Sequence, residues 1–174
     1  MRWYFYALFI LSIFGCTRSF NASKKMEVGL THFSRVEKRI VALEDSLHVS
    51  YEKLMNNSVD TLPIQTIHLL ESNYKRAFRL GTKNTRTANY VDKLQQLYLQ
   101  EKKYALSIAW TDSLLAYYPT YPQKAALLLN AATTAEIYLK DEQKMRYYYE
   151  RLLREHPKLK KEIVEMVELR LKKS

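Results

Sequence analysis

Four histidines, one cysteine, scattered carboxylates and a run of three tyrosines are what this chain of 174 residues offers for chemistry. His32, His48, His68 and His156 lie far apart, and none has a His, Cys or carboxylate partner at a ligand spacing, so no metal centre is expected. With one cysteine the chain cannot build a disulfide framework or a thiolate zinc site by itself. No serine stands in a Gly-x-Ser-x-Gly setting, and no glycine-rich loop is present to cradle a phosphate. The carboxylates sit beside Lys and Arg along helix-periodic segments, the pattern of a solvated surface. Tyr147-Tyr148-Tyr149 would stack on nucleobases only if the rings shared a platform, and consecutive helical positions diverge by about 100°. The expectation is a protein that binds without turnover, with no cofactor, no nucleic acid and no small-molecule substrate.

Composition narrows the scaffold. Gly 3 and Pro 4 leave little punctuation for hairpins or nucleotide-binding turns, which argues against β-sandwich, Rossmann and P-loop folds. Hydrophobic residues at 47% and charged residues at 26% describe a chain that folds. A net charge of +10 favours anionic over cationic partner surfaces.

Arg2 precedes an uncharged run from Trp3 to Gly15, which ends at the cysteine, Cys16. As a helix that run spans only about 20 Å, short of the ~30 Å hydrocarbon core. A secretory h-region therefore fits better than a membrane span. Ile13, Phe14, Gly15 and Cys16 together resemble the lipobox of bacterial lipoproteins, although Phe14 is bulkier than the pattern prefers. The resemblance implies that residues 1–15 are a signal peptide and that Cys16 becomes the first mature residue, carrying covalent lipid. Two or more acyl chains give stable anchoring, since each buried methylene contributes about 0.8 kcal/mol. Residues 16–25 read as a lipidated polar tether. The acid-free stretch after the cysteine lacks the acidic cluster of surface-exposed lipoproteins, so an outer-membrane anchor facing the periplasm is expected, with a Gram-positive plasma membrane as the alternative.

Residues 26–174 read as a single all-α domain, since apolar residues recur at three and four with no sustained alternation. Leu30, Phe33, Val36, Ile40, Leu43, Leu47, Tyr51 and Leu54 predict one long helix over Lys25–Asn56. Its stripe is suited either to later helices of the chain or to a coiled coil with another copy. Asp60-Thr61-Leu62-Pro63 opens a second helix. Ile64, Ile67, Leu70, Tyr74, Ala77 and Phe78 form its predicted buried face, and Gly81 is expected to end it in a left-handed conformation.

Two units then follow thirty-eight residues apart. Ala88, Val91, Leu94 and Tyr98 line one helix, Lys102-Lys103 turns, Tyr104, Ser107, Ile108, Thr111 and Leu114 face back, and Tyr118-Pro119 closes the unit. Ala126, Leu129, Ala132 and Ile137, a turn at Lys140-Asp141, then Met145, Tyr149 and Leu152, and His156-Pro157 repeat the outline. A helical pair of this kind buries its apolar face only by stacking on neighbours.

The spacing resembles the tetratricopeptide repeat (TPR) family, with repeats at about 88–119 and 126–157. Glu136 replaces an expected aromatic residue and Met145 an expected small one. The stretched link Thr120-Tyr121-Pro122-Gln123 and the run Lys140–Pro157 are similar to BamD-type (YfiO-like) outer-membrane lipoproteins. The resemblance implies a short solenoid of antiparallel hairpins, capped by an amphipathic helix over 158–172. The buried side of that cap would be Leu159, Ile163, Met166, Val167 and Leu171, with its cations either solvated or facing anionic lipid. A plain helical bundle is the competing architecture. In the TPR family the first helix of each pair lines a concave groove, which here implies partner-binding positions Asn89, Asp92, Gln96, Asn130, Thr134 and Tyr138. The implied role is an adaptor for envelope proteins in outer-membrane assembly or secretion machinery. A structural oligomer joined through Lys25–Asn56 and an envelope enzyme are the other readings.

Overall fold

The computed structural model describes residues 31–56, 63–81 and 84–173. They are all-helical, with no strand among the described residues. Cys16, the tether, the start of the first helix and Asp60–Leu62 lie outside them. The single domain expected over 26–174 divides instead into two compact units, between Leu80 and Gly81.

In the first unit, α1 covers residues 31–55 and α2 covers Ile64–Gly81. Phe33, Val36 and Ile40 are buried on α1, and Leu70, Tyr74 and Ala77 on α2, where the periodicity puts them. The Tyr74 hydroxyl donates to Glu44 Oε1 at 2.7 Å and ties the two helices. Tyr51 and Ile64, both predicted inside, are exposed. They occupy the last turn or so of α1 and the first of α2, beyond the stretch where the buried stripes meet.

Gly81 has no positive φ. It stays helical, and its carbonyl accepts from the Asn84 amide at 2.8 Å and the Thr87 hydroxyl at 2.7 Å. These bonds satisfy a carbonyl at the helix end that has no partner within the helix.

The second unit contains α3 (Thr85–Gln100), α4 (Tyr104–Tyr117), α5 (Lys124–Thr134), a π turn (Ala135–Leu139), α6 (Glu142–Glu155) and α7 (Lys161–Lys173). Asn84 caps α3 by accepting from the Arg86 amide, and Asp141 caps α6 by accepting from the Lys144 amide. α3 packs on α4, α4 on α5, α5 on α6 and α6 on α7. The two hairpins match in backbone detail. Lys102 and Lys140 both turn the chain with positive φ, 59° and 54°. Tyr118 (φ −131°, ψ 68°) and His156 (φ −130°, ψ 70°) end α4 and α6 in the same way, each pushed out of the helical region by the proline that follows. Ser107, Thr111 and Leu114 are buried on α4, as are Met145, Tyr149 and Leu152 on α6.

A lysine held left-handed is strained where glycine would not be. Lys102→Gly and Lys140→Gly are each expected to stabilise the fold by about 0.5–1 kcal/mol in denaturant titrations, the relief of strain being partly offset by a freer unfolded chain.

The hairpins differ in the turn between their helices. In the first, the Lys103 amide bonds Tyr98 O and the Lys102 amide bonds Leu99 O, a Schellman ending. In the second, the amides of Lys140 and Asp141 both reach Ala135 O. Three residues separate Tyr98 from Lys102, whereas four separate Ala135 from Lys140, and the π turn absorbs the extra one.

The face of α5 also departs from expectation. Leu127, Leu128, Ala131, Ala132, Thr134 and Ala135 are buried, while Ala126 and Ile137 are exposed. On α7, which begins at Lys161 rather than Lys158, Met166 is exposed and Val167 carries the burial.

Candidate functional site

The connection from α4 to α5 is built from two successive turns with proline second in each. The Tyr121 amide bonds Tyr118 O at 3.0 Å across Pro119, and the Lys124 amide bonds Tyr121 O at 3.1 Å across Pro122. Proline presets φ for that position, so the segment has little freedom left to lose. It lies along the N-terminal half of α3, and two clefts open between them.

One cleft, of about 490 Å³, runs from Thr85, Arg86 and Asn89 to Tyr117–Pro122. The other, of about 450 Å³, lies between Asn89, Asp92, Lys93 and Gln96 on α3 and Tyr121 and Gln123 on the link. Arg86, Asn89 and Tyr121 line both, so the two are halves of one trough. Each is within the size range of ligand sites.

Tyr121 divides the trough. It is 8% exposed, and its hydroxyl donates to Asp92 Oδ2 at 2.9 Å. Asp92 Oδ1 accepts from Gln95 Nε2 at 3.0 Å, and Ser107 Oγ donates to Gln95 O at 2.9 Å. A chain of hydrogen bonds therefore runs from the trough wall through buried Gln95 to α4, and fixes the wall to the hairpin core. Burial foremost, and then the Asp92 carboxylate, push the Tyr121 phenol up. It stays protonated and acts as a donor, as a wall requires and a general base does not.

A second anchor holds the other end of the link. Lys124 Nζ pairs with Glu155 Oε2 at 2.6 Å and donates to Pro119 O at 3.2 Å, and Arg151 Nε donates to Glu155 Oε1 at 2.7 Å. The bond from Lys124, seconded by Arg151, lowers the Glu155 carboxyl to about 2 against the opposing effect of burial.

Of the six groove positions expected from the sequence, Asn89, Asp92 and Gln96 come together in the trough. Asn130, Thr134 and Tyr138 are not among the residues lining either half. Asn130 is exposed on α5. Thr134 is only 5% exposed and offers no side chain to a partner, because the register of α5 turns it inward. Tyr138 is exposed but stacks on Tyr104, with centroids 4.2 Å apart and planes 11° from parallel. Asp92 is committed to the wall rather than presented as a contact. Arg86, Tyr117 and Tyr121 were not anticipated as site residues. The stretched link was visible in the sequence, but its signal was length alone, and the two-proline turn geometry was the part left unread.

The trough can hold a ligand by amide, guanidinium and aromatic contacts. Asn89 and Gln96 present both donors and acceptors to an extended backbone. Among the described residues no cluster of three His, Cys, Asp or Glu side chains is arranged to hold a metal. No described helix is long and apolar enough to cross a membrane. No protein-family model matches the chain, and the search of curated proteins finds no significant match.

Proposed function

We propose that this chain is an adaptor of the bacterial cell envelope, tied to the outer membrane through lipid on Cys16, that receives a segment of a partner protein in the α3 trough. Partners of this kind would belong to outer-membrane assembly or secretion machinery, and the contact is binding without turnover. The observation that carries the reading is the repetition of one hairpin in backbone detail, with left-handed Lys102 and Lys140 and the matching exits at Tyr118 and His156. Repeated helical pairs that pack on their sequence neighbours favour a short TPR-like stack, and such stacks present continuous binding surfaces. The apolar run ending at Cys16 supports the anchor.

The test is crosslinking in intact cells followed by separation of membranes. The full chain should carry a crosslinked partner into the membrane fraction. Asn89→Ala with Gln96→Ala should lower that capture about tenfold, the worth of one to two hydrogen bonds, without changing helicity. Cys16→Ser should abolish incorporation of labelled fatty acid into the chain. Undiminished capture by the double variant refutes the trough, and labelling that persists in Cys16→Ser, or is absent from the parent chain, refutes the anchor. The oligomerising alternative rests on the second half of α1, where Val49, Tyr51 and Met55 are exposed.

A further inference from the structure

We propose that α7 is a strap, a helix that undocks from α6 as one unit while both hairpins stay folded, with the Glu136–Arg170 pair as its latch. The contrast in burial between neighbouring helices is the starting point. α6 buries Met145, Tyr148, Tyr149 and Leu152. Among the described residues of α7, Val167 alone is buried, Ile163, Val164 and Leu171 are half-buried, and Met166 and Leu169 are exposed. A helix of 13 residues is marginal in water on its own, so docking and folding of α7 depend on this thin contact.

The joint and the latch are both in place. Pro157 breaks the chain after α6, and the His156 carbonyl accepts from the Leu159 amide in a turn before α7 begins. At the far end, Arg170 Nη1 donates to Glu136 Oε1. The other oxygen of Glu136 accepts from the Tyr149 hydroxyl at 3.1 Å. Glu136 is thus held by α6 whether or not α7 is docked, and opening the strap leaves no orphaned carboxylate. Glu136 lies on the π turn and bonds both Tyr149 and Arg170 from there.

Hydrogen–deuterium exchange read by mass spectrometry on the full chain tests the strap and the latch separately. Amides of 161–173 should exchange at least about tenfold faster than those of 142–155, as a unit of low local stability does. Arg170→Ala should speed exchange in α7 a further two- to fivefold, the yield of a part-exposed ion pair, and leave α3 and α4 unchanged. Raising salt to 1 M should loosen α7 in the parent chain but not in Arg170→Ala, because only the parent has the pair to screen. Equal protection of α6 and α7 overturns the strap, as does acceleration of all helices together in Arg170→Ala. A salt response identical in both chains overturns the latch.

Discussion

Leu114→Ala and Leu152→Ala are each expected to cost about 3 kcal/mol and to lower the melting temperature of the second unit by on the order of 15 °C. The two leucines hold the same place in successive hairpins, and both are 0% exposed. Each truncation removes apolar surface and leaves a cavity that rigid helices close only in part. Because α4 packs on α5 as well as on α3, the two hairpins share a core, and either variant should melt both in one step. Circular dichroism against temperature reads this directly. Two transitions, with only the altered hairpin melting early, would show that the hairpins fold independently.

The second large effect concerns acid. Glu155 titrates near 2 in the folded chain against 4.5 when unperturbed. The folded value is the lower one, so the stabilisation is complete above about pH 4.5 and fades as pH falls toward 2. The carboxylate is a quarter exposed, and solvent screening discounts the full linkage to about 1–2 kcal/mol. Glu155→Gln should therefore be less stable than the parent by that amount in denaturant titrations at pH 7, and the gap should narrow progressively below pH 4.5. A gap that stays constant down to pH 2 would mean that the Lys124 and Arg151 contacts contribute nothing through charge.

The helices of both hairpins were legible in outline, and α3 and α6 in their buried faces as well, because these two carry apolar residues at three and four with polar residues between. α5 was not legible in the same way. Ala125, Ala126, Leu127, Leu128 and Leu129 are apolar all round, so no stripe marks which side turns inward. The period then assigned Ala126 and Ile137 to a core that Leu127, Leu128 and Ala131 fill. The π turn adds to the difficulty. A reading in steps of 3.6 residues assumes that no turn is wider, and the residue absorbed between Ala135 and Lys140 breaks the assumption at Glu136. The period places Asn89, Asp92 and Gln96 together because α3 is regular from its Asn84 cap to its Schellman end. Tyr121 was missed because its role comes from turn geometry and from a hydroxyl reaching Asp92, which periodicity does not encode.

The paired proline turns have a thermodynamic consequence for whatever enters the trough. With one side pinned through Tyr121 to Asp92 and the other formed by a capped helix, the trough is held in one shape, which on the proposed reading would be its bound shape. Association then charges its conformational entropy almost wholly to the ligand. A guest that is itself stiff and extended loses least on entry, so selection among similar sequences would follow their backbone rigidity as much as their side chains.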